Sequence, residues 1–326
     1  MKELACKKIL FLGIGFYDYD NCIITELQSR GAYVTYVKTV PDEIVPRALN
    51  RIGCKKIATK LISRKLYNKL YSIQENFDYI FIIIGDNLNK GHLQLLKSRN
   101  ARSKFILYLW DDIKRVPNYN VLAAYCDEIF TFDAKDSEAY GIKLRPLFFR
   151  INEINSKFDS KLTTVDYSFV GWNHSIRYDY IHRIRKELDK AGLSYKFILL
   201  TRPWLYLIDK FVHNTIYKED KDIFVFKSLS YNEYIQITKK SKIVIDIPYP
   251  SQKGLTIRTI ESLAMGKKVL TTNDNISKYG FPIYSYCILD DRIENYNFQA
   301  PLKEVSVNVD MKDFSICSFI DDLFSD

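Results

Sequence analysis

Short apolar runs of strand length recur along the whole chain, and most are followed by a turn and a stretch with helical spacing. They are Lys8–Gly13, Ala32–Val37, Asp78–Ile84, Lys104–Leu109 and Glu128–Phe132, then Asp166–Gly171, Tyr195–Leu200, Ile223–Phe226, Lys242–Ile247 and Val269–Thr271. Runs such as Tyr79-Ile-Phe-Ile-Ile-Ile lack the polar–apolar alternation of a half-exposed strand, so they belong inside a parallel sheet covered on both faces. Alternating strands and helices of this kind predict doubly wound α/β units. At 326 residues the chain is long enough for two of them. The apolar pattern lapses between Arg150 and Thr164, so the expected division is a first domain over 1–150, a linker over 151–164 and a second domain over 165–326. A C-terminal helix over Phe314–Phe324 has the pattern to cross back to the first domain.

In such sheets the C-terminal strand ends line the ligand crevice, and three strands of the first domain end in acid. Asp86 follows Gly85, Asp111 and Asp112 follow Trp110, and Asp133 follows Phe132. Asp133 reads best as a helix cap. Asp111 or Asp112, beside an aromatic plane suited to a sugar ring, is the candidate general base, with Asp86 and Trp110 as further cleft residues. Gly13-Ile-Gly15 closes the first strand, but a third glycine is missing and Lys38 stands where a dinucleotide site needs an acid. Gly13 and Gly15 are therefore read as a tight turn at the cleft, not as a dehydrogenase fingerprint. Asp18-Tyr-Asp20 has the spacing of a metal motif, but it follows that loop and reads as a helix cap.

Charge is unevenly placed. Residues 1–150 carry 24 Lys and Arg against 16 Asp and Glu, a net of +8; residues 151–326 carry 24 against 23, a net of +1. The excess centres on Arg47–Leu70, where Arg47, Arg51, Lys55, Lys56, Lys60, Arg64, Lys65 and Lys69 alternate with Ile57, Leu61, Ile62, Leu66 and Leu70 and no acid intervenes. That is a basic amphipathic helix. Its lysines either solvate a helix packed on its own sheet, or, with Lys55, Lys56 and Lys60 foremost, face an anionic membrane. Nucleic acid is not the expected partner, because no aromatic stacking platform or nucleic-acid motif accompanies the charge.

The stretch Ser251–Asn273 carries the most chemistry. It reads as a glycine turn, a helix from about Leu255 to Ala264, a stop at Gly266 and a further strand. A helix start after a strand offers free N–H groups and a positive dipole end to a phosphate. Arg258 and Glu261, three residues apart, share a helix face, where they either hold a diphosphate and a ribose or form an ordinary surface pair. Elsewhere, Thr201–Asp222 breaks the α/β rhythm with Trp204, Leu205, Tyr206, Leu207, Ile208, Phe211 and Val212. Packing against the other domain is the favoured reading of that segment, and an interfacial anchor is the alternative. No apolar run is of bilayer-spanning length and the N-terminus does not read as a secretion signal, so reduced cysteines and a cytoplasmic location are expected.

Three stretches, in this order, resemble GT-B fold glycosyltransferases of bacterial surface polysaccharide assembly, the lipopolysaccharide or capsular polysaccharide biosynthesis proteins. The first is Tyr108-Leu-Trp-Asp-Asp-Ile with Cys126-Asp-Glu-Ile-Phe-Thr-Phe-Asp-Ala-Lys-Asp and Arg145-Pro-Leu-Phe-Phe. The second is Asp166-Tyr-Ser-Phe-Val-Gly-Trp-Asn-His-Ser-Ile-Arg177, and the third, the most specific, is Gly254-Leu-Thr-Ile-Arg-Thr-Ile-Glu-Ser-Leu-Ala-Met-Gly-Lys-Lys-Val-Leu-Thr-Thr-Asn273. The resemblance implies two Rossmann-like domains facing a central cleft. It implies transfer of a sugar from a nucleotide-diphosphate sugar on the second domain to a glycan or lipid-linked glycan acceptor on the first. Glu261 would receive the ribose hydroxyls; Arg258, Lys253 and the Gly254 backbone would face the diphosphate, with Gly171 and Arg177 across the donor. It implies no cofactor and no metal, the charge on the leaving diphosphate being met by Arg, Lys and helix ends. A non-catalytic relative, kept as a nucleotide-binding or scaffold protein in the same pathway, is the competing expectation.

Overall fold

The computed structural model describes residues 4–16, 18–40, 55–150, 164–174, 176–213, 215–304 and 307–325. The chain divides into two compact units, Met1–Leu147 with Asp313–Asp326, and Phe148–Lys312. The division thus falls at the Leu147–Phe148 bond, and most of the expected linker, 151–163, lies outside the described residues.

The first unit is a six-stranded parallel sheet, ordered β2-β1-β3-β4-β5-β6. Its strands are β1 (Lys8–Gly13), β2 (Tyr33–Lys38), β3 (Tyr79–Ile83), β4 (Lys104–Leu109), β5 (Glu128–Thr131) and β6 (Lys143–Leu144). Among the described residues up to 150 its helices are α1 (Tyr19–Ser29), α2 (Lys55–Ser72), α3 (Lys90–Arg99), α4 (Tyr119–Ala123) and α5 (Ala134–Tyr140). Every residue of β3 is buried, as its continuous apolar run requires. Asp133 caps α5, its side chain accepting from the backbone N–H groups of Lys135 and Asp136. The cap expected of the Asp18–Asp20 pair is not formed: Asp18 stands at the N-cap of α1 with φ 85° and makes no capping bond. Asp20 turns back to the preceding loop instead, accepting from the Gly15 N–H at 2.7 Å.

Helix α2 is the basic helix of the sequence, and Arg47–Cys54 lie outside the described residues. Ala58, Leu66 and Leu70 are its buried stripe, whereas Ile57, expected in that stripe, is 55% exposed. Lys60, Arg64, Lys65 and Lys69 are exposed. Lys55 and Lys56 open the helix; their side chains are outside the description.

The last element of the chain, α10 (Ile316–Leu323), belongs to this unit. Phe319 meets Tyr108 edge-on at 4.8 Å, and Phe324 meets Tyr79 at 5.1 Å. Arg30, its side chain fully buried, donates to Glu26, to Asp321 and to the Cys317 carbonyl.

The second unit is again six parallel strands, ordered β12-β11-β10-β7-β8-β9. They are β7 (Val165–Trp172), β8 (Tyr195–Leu200), β9 (Phe224–Val225), β10 (Ser241–Asp246), β11 (Lys268–Thr271) and β12 (Tyr286–Ile288). Among its described residues the helices are α6 (Arg177–Lys190), α7 (Pro203–Phe211), α8 (Tyr231–Lys239) and α9 (Ile257–Ala264). The core gathers Tyr167, Phe169, Ile181, Ile184, Leu199, Ile243 and Ile245 between sheet and helices. Strand order reverses between β7 and β10, so the chain leaves the C-terminal ends of those two strands in opposite directions and a crevice opens between them. None of the residues of helix α7 is fully buried, although Tyr206 packs against the core of its own unit.

Candidate functional site

Two arginines converge on the crevice between β7 and β10. Arg258, in the first turn of α9, donates from Nε to the Val170 carbonyl at 3.0 Å and from Nη1 to Asp246 Oδ1 at 2.5 Å. Arg177, the first residue of α6, donates from Nε to the Ile247 carbonyl at 2.6 Å and from Nη1 to the Trp172 carbonyl at 3.0 Å. Both guanidiniums lie over one ring, that of Phe169, at 4.9 Å for Arg258 and 5.8 Å for Arg177. Gly171 is a glycine for a visible reason: a Cβ there would stand 2.7 Å from Arg258 Nη2. The structure therefore brings Gly171, Arg177 and Arg258 together.

Electrostatics in this crevice favour an anion. Burial pushes the Arg177 guanidinium down to about 9, and the charge of Arg258 adds to the effect. Two cations share a site with the single carboxylate of Asp246, whose Oδ2 accepts from Thr256 at 2.8 Å and Thr259 at 2.7 Å. An anion placed between the guanidiniums relieves their mutual repulsion. Thr256 also caps α9, accepting from the Thr259 N–H, which fixes the helix start beside the arginines.

The other predicted donor residues go elsewhere. Glu261 is fully buried and accepts from the Tyr231 hydroxyl of α8 at 2.6 Å. Although Arg258 and Glu261 are helix neighbours, the ion pair of Arg258 is with Asp246, so the pairing expected from their spacing is not what either side chain is built around. The Gly254 carbonyl accepts from the Asn273 amide at 3.0 Å, and the same amide reaches the Lys253 carbonyl at 3.2 Å. This clamp ties the loop before α9 to the end of β11. Lys253 Nζ lies 3.9 Å from Asp274. Lys253 also lines a cavity of about 640 Å³ with Tyr180, Arg183, Tyr249, Gln252, Asn273 and Asp291; no other predicted donor residue lines it. At its rim Tyr249 stacks on His174 with ring centroids 3.6 Å apart.

In the first unit the predicted acids gather at the C-terminal ends of β3 and β4. Asp111 forms an ion pair with Arg115 at 3.3 Å. Burial raises its carboxyl above the ordinary value; Arg115 opposes the rise, while Asp112 and Asp86 add to it. Burial also raises Asp86. Asp112 is buried. Trp110 is held edge-on by Tyr19 at 5.7 Å and Tyr108 at 6.1 Å. Just before Asp86, Ile84 adopts φ 61°, a left-handed conformation costly for a β-branched residue. Its N–H donates to the Tyr108 carbonyl at 2.9 Å, which helps hold the turn. Gly13 and Gly15 serve their own loop. A Cβ at Gly13 would collide with the Asp20 carboxylate, and one at Gly15, where φ is +71°, would collide with the Lys38 side chain.

Sequence reasoning missed Asp246 and Asn273. Asp246 ends β10 inside the apolar run Lys242–Ile247, and the acidic-strand-end rule applied to the first unit would have found it. Asn273, buried just beyond β11, had no comparable signal.

No protein-family model matches this chain, and no curated protein sequence matches it. Solved structures do match, over nearly the whole length. Anabaena Alr3699/HepE in complex with UDP and glucose aligns with TM-score 0.57 at 11% identity, covering 98% of this chain and 95% of that one. The catalytic domain of starch synthase IV from Arabidopsis thaliana, bound to ADP and acarbose, aligns with TM-score 0.58 at 9% identity over 99% of both chains. UDP-GlcNAc 2-epimerase from Neisseria meningitidis, bound to UDP-GlcNAc, aligns with TM-score 0.56 at 9% identity over 98% of this chain and 100% of that one. The fold is therefore GT-B, two parallel six-stranded sheets with flanking helices.

Proposed function

We propose that the chain is a glycosyltransferase that moves a sugar from a nucleotide-diphosphate sugar to a glycan acceptor of bacterial surface polysaccharide assembly, carried on a lipid. The observation that carries this reading is the pair of guanidiniums, Arg177 and Arg258, over Phe169 at the reversal point of the second sheet. Their excess positive charge suits a diphosphate, with Lys253 and the start of α9 adding to it. In this reading the acceptor oxygen attacks the anomeric carbon, the bond to the diphosphate oxygen breaks, and the nucleoside diphosphate leaves with the electron pair. Asp111 or Asp112 takes the acceptor proton if the reaction inverts, and the raised affinity of Asp111 for a proton suits a base. The residues are assigned no metal or organic cofactor, since cationic side chains answer the leaving charge. Glu261 meets the ribose only by sharing or displacing Tyr231, which holds it here.

The exposed lysines and arginine of α2, Lys60 among them, face the anionic inner surface of the cytoplasmic membrane, where a lipid-linked acceptor resides. Burial of Glu261 favours one second reading, a GT-B protein that binds nucleotide without transfer. Isothermal titration with a panel of nucleoside diphosphates, then hydrolysis of the matching nucleotide sugar, separates the two. Binding abolished in Arg258→Ala, with hydrolysis by the wild type, supports transfer. Binding without hydrolysis favours the second reading, and a folded protein that binds no nucleotide removes both.

A further inference from the structure

Helix α7 carries its apolar side chains on the side away from its own core. Trp204, Leu207, Ile208, Phe211 and Val212 follow the i, i+3, i+4, i+7, i+8 spacing of one helix face. Their exposures are 48, 50, 37, 70 and 73%. A core helix turns such a stripe inward; this one presents it to solvent. The helix is nonetheless fixed to its unit. Pro203 sets its first turn, and Tyr206, on the opposite face, packs edge-on against Phe224 at 5.1 Å and Phe226 at 5.3 Å. At its C-terminal end the Asp209 carbonyl accepts from the N–H and hydroxyl of Thr215.

We propose that this face inserts into the interfacial layer of a lipid bilayer bearing anionic headgroups. Two observations select a bilayer over a protein. Four side chains of the nine-residue helix and that of its C-cap, Val212, expose on the order of 500 Å² of apolar surface, short of the roughly 800 Å² per partner of a stable dimer. Cations border the face: Lys210 Nζ lies 4.9 Å from the Phe211 ring and 5.7 Å from that of Tyr206, and Arg202 is exposed at the N-cap. Asp209, the helix's own acid, is half-buried. A lysine lying along the exposed Phe211 ring at the border of an apolar face is an arrangement that suits an interfacial helix. The proposal stands whether or not the chain transfers a sugar, and its readout needs no nucleotide.

The test is flotation of the full-length protein with phosphatidylcholine vesicles, with and without phosphatidylglycerol. The wild type should float with the anionic vesicles and keep a bound fraction in high salt. Leu207→Ser with Phe211→Ser, both at exposed positions, should lower partitioning roughly ten- to hundredfold. Ile283→Ser, equally exposed elsewhere on the unit, should leave it unchanged, and circular dichroism melts establish that all variants fold. Absence of flotation, or equal flotation of the double variant, overturns the proposal. So does a wild-type dimer in solution that the double variant converts to monomer, since a second copy would then cover the face.

Discussion

Arg258 and Asp246 form a closed pair at the end of β10: Nη1 lies 2.5 Å from Oδ1, with side chains only 12% and 1% exposed. The carboxylate is further satisfied by the hydroxyls of Thr256 and Thr259, so it accepts from three side chains at once. Buried pairs of this kind add little net stability when intact, yet removing one partner strands the other. Asp246→Ala should therefore cost about 3–5 kcal/mol in urea unfolding. A loss below about 1 kcal/mol would mean that Arg258 finds solvent or another partner without difficulty.

Gly171→Ala tests the crevice with one methyl group. The new Cβ would sit 2.7 Å from Arg258 Nη2, so the guanidinium has to shift. If that guanidinium holds a diphosphate, nucleotide affinity should fall by at least about tenfold, or 1.4 kcal/mol. Titration calorimetry alongside a thermal melt reads both effects, and an unchanged affinity would place the anion elsewhere.

Tyr231→Phe separates structure from binding at Glu261. Removing the hydroxyl takes a 2.6 Å hydrogen bond from a fully buried carboxylate and should destabilise the fold by about 1–3 kcal/mol. Nucleotide affinity should hold or improve, because the tyrosine hydroxyl occupies one oxygen of the carboxylate that ribose hydroxyls would approach. A large loss of affinity would instead make Tyr231 part of the binding surface.

Asp111 predicts a pH dependence of definite sign. Burial raises its folded-state proton affinity, so the folded chain holds a proton that the unfolded chain releases. Stability from this group is present below the ordinary Asp value and is lost as pH rises through the raised folded value. Asp111→Asn should therefore melt higher than the wild type at neutral pH, with the difference shrinking on acidification. If Asp111 is the base, the same variant should lose most transferase activity while keeping nucleotide affinity.

Deletion of Asp313–Asp326 should unfold the first unit. It removes the buried Ile316, Phe319, Ile320, Leu323 and Phe324, each side chain contributing about 1.5–3 kcal/mol of burial. Together these match or exceed the roughly 5–15 kcal/mol by which a domain is ordinarily stable. Limited proteolysis of the truncated chain should cut within the first unit and spare Phe148–Lys312.

Most of the architecture was legible because it rests on local periodicity. Tyr79–Ile83 is apolar without interruption since both faces of β3 are covered, and Asp133 caps α5 for reasons contained in its own chemistry. Side-chain destinations were less legible. Helical spacing places Arg258 beside Glu261, but it cannot reveal that Asp246 lies beneath one and Tyr231 beside the other. Gly13 and Gly15 resembled a ligand loop, and what they accommodate is Asp20, Tyr36 and Lys38, residues brought in by β2 and α1. The aromatic run of α7 was read as something to be covered, because spacing reports an apolar face and not its direction.

The place of α10 has a consequence for the order of events on the ribosome. The first unit is completed by Asp313–Asp326, which is translated only after Phe148–Lys312, whereas the six described strands of the second unit are all made before that segment appears. The N-terminal sheet must wait, with Tyr79, Phe81 and Tyr108 lacking their aromatic partners from the C-terminus, for as long as the whole second unit takes to be made. At about 5–20 residues per second that interval is on the order of ten seconds or more, long enough for a chaperone to occupy the vacant seat.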